Sequence, residues 1–270
     1  MLIYAGLTPF LLVAVFPVYW MAVTALKQEA DLYRMDVIPF WFYLPPTLKH
    51  FEYLFRHTWY AAWIVNTMMI SGLVAVITLL TAIPAGYALA RLRLPGSGNL
   101  GIGIFLTYLV PPIILFLPLS RVVSDLGLQD RWWALVLIYP TFTIPFSTWL
   151  LMGFFKTVPA EIEEAARVDG CGHLGALVRV VLPISLPGML TTVIFSFTLS
   201  MQDFLYALAF VSVSDQKPVP VGVATELIRG DVFFWGSLMA GALLVGVPVA
   251  ILYNFFLDRF ITGITGAAVR

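Results

Sequence analysis

The sequence predicts an all-α integral membrane protein with six transmembrane helices. Three observations carry this reading. Of its 270 residues, 60% are hydrophobic, and the mean hydropathy is +0.93. Charged residues make up 11%, against about a quarter in soluble domains. No soluble fold hides that much apolar surface, so the solvent is lipid. Finally, six stretches have the length a helix needs to cross a bilayer, about 20 mostly apolar residues. They are roughly 4–26, 61–90, 100–120, 132–155, 183–211 and 236–257. Helices are the expected spanners because lipid offers the backbone no hydrogen-bond partner.

Residues 4–26 form a long apolar stretch with no small-residue cleavage site, so they read as a span and not as a cleavable signal. Residues 27–60 are polar and aromatic. Trp41, Phe42, Tyr43, Trp59 and Tyr60 suit the interfacial belt, where amphipathic rings lie among headgroups. Leu48, Phe51, Leu54 and Phe55 predict a short amphipathic helix over 47–56 that shares one apolar face. Asn66 and Thr67 begin the apolar core of span two and point to hydrogen bonds between helices.

Prolines recur inside the spans, at Pro84, Pro111, Pro112, Pro118, Pro140, Pro145, Pro187 and Pro248. Membrane helices tolerate them better than soluble ones, above all beside a cavity. Pro111, Pro112 and Pro118 predict either an unwound stretch of span three or a tolerated kink. Asp203 is the one acid placed inside a span. A charge there costs at least about 2.5–3.5 kcal/mol, which makes it functional by default. Either Gln202 and Asp203 line a solute path, with Phe204 and Tyr206 offering stacking surface, or Asp203 bonds a neighbouring helix of a partner subunit and holds structure.

Net charge is zero, which argues against nucleic acid as a partner. Cys171 is the single cysteine, which excludes an internal disulfide and a cysteine-cluster metal site, and His50, His57 and His173 are not spaced as metal ligands. No catalytic residue, metal or cofactor is therefore expected on this chain. An even number of spans puts both termini on one side. Lysines and arginines divide almost evenly between the two sides, so charge alone leaves the orientation open, with the Arg91–Arg93 loop weakly favouring cytoplasmic termini.

Residues 156–182 form the substantial loop between spans four and five. Pro159 suits a first helical turn. Glu161, Glu163 and Glu164 favour the positive end of a helix. Glu163 and Arg167 stand four apart as a supportive pair, and Gly170 is a natural exit. A helix near 159–169, outside the bilayer, follows. His173 reads as a residue of the loop surface. The small patch Ala165 and Ala166 beside Glu164 permits close approach by another surface; the plain alternative is a solvated helix with ordinary charges.

Glu164-Ala165-Ala166, then Gly170, then Val180-Val181-Leu182-Pro183 resembles, at every spacing, the signature loop of permease subunits of ATP-binding-cassette importers, with Val180 in place of the usual Ile. "VPAEIEEAARVDGCG", "LPPTLKHFEYLF", "AIPAGYALARLRLPG" and "MQDFLYALAF" resemble segments of the carbohydrate-importer branch, and "GITGAAVR" resembles the tail of its smaller, maltose-type permease. Met201-Gln202 stand where that branch usually has Trp-Asn, and Cys171 where Ala is common.

The resemblance implies a single permease domain over 1–270 of the type-I importer kind, with a cytoplasmic coupling loop over 156–182. Glu161, Glu164, Ala165, Ala166, Asp169, Gly170, Leu182 and Pro183 would serve the coupling. Glu164 would face a basic residue of the ATPase, and the tail from Thr262 to Arg270 would reach toward the ATPase dimer interface. It implies a bacterial or archaeal cytoplasmic membrane, cytoplasmic termini, and Gln202, Asp203, Phe204 and Tyr206 as candidates for the path of a di- or oligosaccharide. Implied partners are a homologous second permease, two ATPase subunits that hold ATP and magnesium, an extracytoplasmic sugar-binding protein and membrane lipid. A glycerol-phosphate or polyol importer is the near alternative, although no basic residue lies within spans three to six. An ion-coupled secondary transporter would need several intramembrane ionisable groups, and a membrane enzyme a catalytic cluster; neither pattern is present in the sequence.

Overall fold

In the computed structural model the described residues are mostly helical, with one two-stranded hairpin. The structure describes the backbone of residues 2–268 other than 35, 37, 38, 93 and 94, and the side chains of the same residues other than 2, 3, 5 and 255–268. The predicted Arg91–Arg93 turn is thus described only in part, and the side chains of the expected tail contact, 262–270, lie outside the described residues.

The elements are α1 (Leu2–Leu26), α2 (Glu29–Leu32), α3 (Lys49–His57), α4 (Tyr60–Arg91), α5 (Ser97–Tyr108), α6 (Pro112–Asp125), α7 (Trp133–Ile138), α8 (Pro140–Thr157) and α9 (Ala160–Val168). They continue as α10 (His173–Ala176), α11 (Leu182–Ile184), α12 (Leu186–Gln202), α13 (Leu205–Phe210), α14 (Val219–Glu226), β1 (Ile228–Arg229), β2 (Val232–Phe233) and α15 (Trp235–Ala268). Among the described residues four helical stretches are long and apolar enough to cross a membrane: Gly6–Leu26, Tyr60–Arg91, Trp133–Thr157 and Trp235–Asn254. Two bent pairs bring the number to six if each pair is one span.

Those bends correct two predicted spans. The stretch 100–120 is not one helix: α5 and α6 meet at 87°. Pro112 starts α6 and Pro111 before it is extended, with ψ 130°. A proline has no N–H to continue the ladder, and it pushes the preceding residue out of the helical region. The stretch 183–211 is bent by 79° between Ile184 and Leu186 and preceded by a π-helical turn over Leu177–Val181. Pro183 removes a donor from the ladder just past that turn, and π turns are one way such a break is absorbed. Helix α12 ends at Gln202, and α13 is a separate short helix. At Pro84, Pro145 and Pro248 the helices continue without a break.

The chain divides into two compact units, residues 1–66 with 214–252 and residues 67–213 with 253–270. In the first unit the core gathers Ala25, Leu54, Tyr60, Trp63, Val219, Leu227 and Ala240. Tyr60 is fully buried and its hydroxyl donates to the Gly241 carbonyl at 2.6 Å, so it belongs to the core and not to an interfacial belt. Trp41, Tyr43 and Trp59 do remain exposed. Helix α3 is amphipathic as expected, but on a different face: Leu54 and Phe51 pack into the core while Leu48 and Phe55 are exposed. Asn66 bonds carbonyls of the 3-10 turn Ser214–Gln216 and of the residue after it: its Nδ2 donates to Asp215 at 2.8 Å and to Lys217 at 3.1 Å.

Buried Lys217 donates from Nζ to Glu226 Oε1 at 2.8 Å and to Thr225 Oγ1 at 3.0 Å, and Ser214 Oγ donates to the same Glu226 oxygen at 2.8 Å. The Lys217 ammonium holds the Glu226 carboxyl below its ordinary range.

In the second unit, helices pack by contact between small and aromatic residues, as expected where lipid removes a hydrophobic drive between helices. Phe146 of α8 stands 4.2 Å, centroid to centroid, from Phe195 of α12, and Phe105 of α5 stands 4.7 Å from Trp149 of α8. Thr78 of α4 and Thr143 of α8 share a hydrogen bond of 2.6 Å. A second cluster, Ala82, Tyr87, Leu151, Phe155, Val158, Leu177 and Val181, closes the end of this unit from which α9 projects.

Candidate functional site

Two places in the second unit carry the predicted site residues. The first is α9 and its flanks. Pro159 precedes the helix and Glu161 and Glu163 fall in its first turn, where the unpaired N–H groups favour negative charge. The helix ends as its sequence implies. Gly170 takes φ +92°, the Gly170 N–H donates to the Arg167 carbonyl at 3.1 Å, and the Cys171 N–H donates to the Ala166 carbonyl at 3.0 Å. That pair of bonds is a Schellman cap, and its left-handed residue is usually glycine because a Cβ is strained there.

Helix α9 presents most of its side chains outward. Glu161, Glu164, Ala165 and Asp169 are exposed, Ala166 is half-buried, and Gly170 and Pro183 are open to the surroundings while Leu182 is half-buried. Apolar groups stand exposed beside the acids: Ile162 is 44% exposed, Leu174 74% and Val168 88%. Exposed apolar groups of this size among polar ones mark an interaction surface when they are contiguous.

Glu163 is the exception, buried at 7% relative exposure. Tyr87 Oη donates to Glu163 Oε1 at 2.5 Å, and Arg91 Nε lies 3.3 Å from Glu163 Oε2. Among the described residues its ion pair is therefore with Arg91 of α4, not with Arg167 as the spacing of four predicts. Arg91 Nη2 also donates to the Val158 carbonyl, and the Tyr87 hydroxyl lies 3.3 Å from the His173 carbonyl. His173 itself is exposed. Sequence reasoning noticed "GYALAR" as a segment but missed Tyr87 and Arg91 as partners of the loop. Their spacing of four on one helix was the available signal; which acid of the loop they meet was not written in the sequence.

The second place is a cavity of about 660 Å³ where α5 breaks from α6. Gln202, Asp203, Phe204 and Tyr206 all line it, together with Tyr108, Tyr139, Phe142, Thr143 and Ser200. The four predicted residues are thus brought together, but they do different things. Gln202 is exposed and Phe204 is 43% exposed, whereas Tyr206 is 1% exposed and donates from Oη to the Pro112 carbonyl at 2.5 Å. Tyr206 is anchored to the α6 start and offers little open face.

Asp203 Oδ2 accepts three bonds, from Tyr139 Oη at 2.9 Å, from the Tyr206 N–H at 3.1 Å and from the Ala207 N–H at 3.2 Å. It therefore caps α13 and ties it to the end of α7. The lining has aromatic faces, hydroxyls, an amide and one carboxyl, and no Lys, Arg or His. Such a wall suits a ligand with both apolar faces and hydroxyl groups. Below α13, Asp130 holds the chain: its N–H donates to the Phe210 carbonyl at 2.9 Å and its Oδ1 accepts the Ser212 N–H at 3.0 Å. The Ser212 bonds keep the Asp130 carboxyl below its ordinary range.

Residues 82–266 match the family described as "binding-protein-dependent transport system inner membrane component". The chain is 35% identical over 256 residues to the sulfoquinovosyl glycerol transport system permease protein of Agrobacterium fabrum, covering 94% of this chain and 88% of that one. It is 30% identical over 260 residues to the trehalose transport system permease protein of Mycobacterium tuberculosis, covering 95% and 93%. Its fold is similar to a chain of a bacterial ABC transporter involved in the import of the acidic polysaccharide alginate, with TM-score 0.81, 21% identity, and 95% and 94% of the two chains covered.

Proposed function

Because the chain belongs to the inner membrane components of binding-protein-dependent transport systems, we propose that it is the permease subunit through which an ABC importer passes a di- or oligosaccharide. It performs no chemistry of its own; ATP is hydrolysed on partner ATPase subunits. In this reading each bent pair is one span, giving six, and the termini and α9 are cytoplasmic. A homologous permease completes the pathway, two ATPase subunits dock below, and an extracytoplasmic binding protein delivers the sugar. Relatives named for trehalose and for maltodextrin support a sugar as cargo.

The observation that carries the reading is the state of α9. A nine-residue helix is presented with Glu161, Glu164 and Ala165 outward and exposed Ile162 and Val168 beside them, and it is ended by a glycine cap. A helix that lacks a buried apolar stripe is not built to fill its own chain's core. It suits a cleft on another subunit, where Glu164 meets a basic residue and Ala165 and Ala166 permit close approach. Asp169, Gly170, Leu182 and Pro183 then shape the return of the chain to the membrane.

Alternating access follows as a population shift. ATP binding closes the ATPase dimer, draws α9 and its counterpart on the other permease together, and biases a two-state bundle toward its outward-open form. The cavity beside the α5–α6 break lies on the sugar path, with Phe204 and Phe142 giving stacking surface and Gln202, Thr143 and Ser200 meeting hydroxyls.

The test is purification of the chain with its partners in nanodiscs, with ATPase measured with and without binding protein and a panel of saccharides. One liganded binding protein should stimulate the wild-type complex, and Glu164→Lys should abolish that stimulation. Failure of any ATPase to copurify would overturn the reading.

A further inference from the structure

We propose that Glu163, with Tyr87 and Arg91, forms a latch that makes α9 and the end of α4 move as one body, so that the stroke of the ATPase enters the membrane bundle through α4. The inference rests on the coupling role proposed for α9 and deepens it.

The argument begins with what holds α9 in place. Of its nine residues, Glu163 alone is buried. The helix is thus fastened to its own chain at mid-length by a carboxylate and not by an apolar stripe. Both carboxylate oxygens are used, Oε1 by the Tyr87 hydroxyl and Oε2 by the Arg91 guanidinium. Both partners lie on α4, four residues apart and therefore on one face. The same two side chains also reach the carbonyls that flank α9, Arg91 to Val158 before it and Tyr87 to His173 after it. One helix end thereby grips the loop at three points.

This attachment differs in kind from an apolar contact. An apolar face can slide by fractions of an ångström with little loss, whereas a short directional hydrogen bond, here from Tyr87 and backed by the Arg91 charge, weakens steeply when its geometry is lost. Such an element transmits displacement without slack until it opens. The receiving helix is stiff at that point: a Cβ at Gly86, one residue before Tyr87, would meet Leu151 Cβ at 3.2 Å and the Thr148 carbonyl at 3.2 Å, so α4 lies directly against α8 there. A pull on Glu163 therefore acts on α4 where it is packed on α8, the helix whose start, with Tyr139 just before it, lines the cavity. Glu163 is a positioning residue: it touches neither sugar nor nucleotide.

The test uses the assembled complex in nanodiscs. Nitroxide labels are placed on the native Cys171, just past α9, and on Leu92→Cys, the exposed residue that follows α4, in a background with no other cysteine. ATP is the probe. In wild type the distance distribution between the labels is expected to be the same without nucleotide and with ATP under non-hydrolysing conditions. Glu163→Gln and Tyr87→Phe are each expected to add a second population with ATP, and to lower sugar moved per ATP, with the saccharide that stimulates wild type, by at least about fivefold, the low end of typical coupling energies. ATPase turnover itself should change less than about twofold.

A wild-type distance that changes on ATP binding would overturn the latch. So would variants that keep a single distribution, or that lose ATPase and transport in parallel, since a docking or folding role alone gives that result. A wild-type complex without ATPase subunits would instead overturn the coupling role itself.

Discussion

The Tyr139 hydroxyl and the Asp203 carboxylate are joined at 2.9 Å, and the same carboxylate oxygen receives the N–H groups of Tyr206 and Ala207. The bond that the sequence reading placed on a partner subunit's helix is thus made within one chain. One oxygen of that acid, Oδ2, is therefore committed within the chain.

A first expectation separates charge from capping at this position. Asp203→Ala removes two cap bonds and the Tyr139 bond, and should destabilise the chain by about 1–3 kcal/mol, read as a lower thermal midpoint in detergent. Asp203→Asn keeps an acceptor for the same donors and should stay within about 1 kcal/mol of wild type. Import by the Asn variant then tells what the charge does. Retained import assigns Asp203 to structure; import lost with an unchanged midpoint assigns its carboxylate to the sugar.

A second expectation concerns stability at the Glu163 pair, which is nearly closed to solvent, at 13% exposure for the Arg91 side chain and 9% for that of Glu163. Removing one partner of a buried pair leaves the other charge uncompensated. Glu163→Ala should therefore cost about 3–5 kcal/mol. Tyr87→Phe deletes one hydrogen bond and no charge, and should cost about 1 kcal/mol. Thermal unfolding of the purified chain measures both. Equal small losses would mean that the pair is solvated in the membrane-embedded protein.

The sequence disclosed the class of fold and the location of the loop because those depend on composition and local pattern. Apolar length revealed the long helices, and proline and glycine in "VPAEIEEAARVDGCG" revealed both ends of α9 within one or two residues. What it hid depends on long-range contacts. Glu161, Glu163 and Glu164 are alike as letters, and only the packing of α4 beside the loop makes Glu163 the buried one. Tyr60 and Trp59 are adjacent aromatics, yet one is core and the other surface. The helix phase of α3 was missed for the same reason, since Leu48 and Phe55 lie just off the stripe that Leu54 and Phe51 define. Prolines announced breaks without saying which would break: at Pro111-Pro112 two adjacent residues without an N–H separate α5 from α6, whereas α8 runs on through the single Pro145.

A third expectation tests the cap of α9. A Cβ added at Gly170 meets nothing within 4 Å, so space is not the reason for glycine there; its φ of +92° is. Gly170→Ala should cost about 1–2 kcal/mol in backbone strain alone. The strain falls on the exit of α9 and not on its docking face. The ATPase should still copurify, while stimulation by liganded binding protein falls. Wild-type stimulation in Gly170→Ala would show that the turn relaxes without consequence for the loop.

A fourth expectation is a pH dependence at Glu226. Its carboxyl is held below its ordinary value of 4.5, first by the hydrogen bond from Lys217, against the opposing effect of burial. A group whose folded pKa lies below its unfolded one adds stability at every pH above the unfolded value, and that contribution is lost as pH falls through the folded value. Glu226→Gln should thus be less stable than wild type by a constant margin near neutral pH, and the margin should shrink once pH drops below about 4.5, the ordinary value. Lys217 is buried, so its ammonium left without the carboxylate adds to the neutral-pH loss. Lys217→Met removes both charges' interaction at once and leaves no buried cation. Its margin should be smaller than that of Glu226→Gln and should close over the same acid range. Thermal midpoints of the three proteins from about pH 8 down to about pH 2 measure this. A margin that stays constant to the acid end would mean that the Lys217–Glu226 bond contributes packing and not charge.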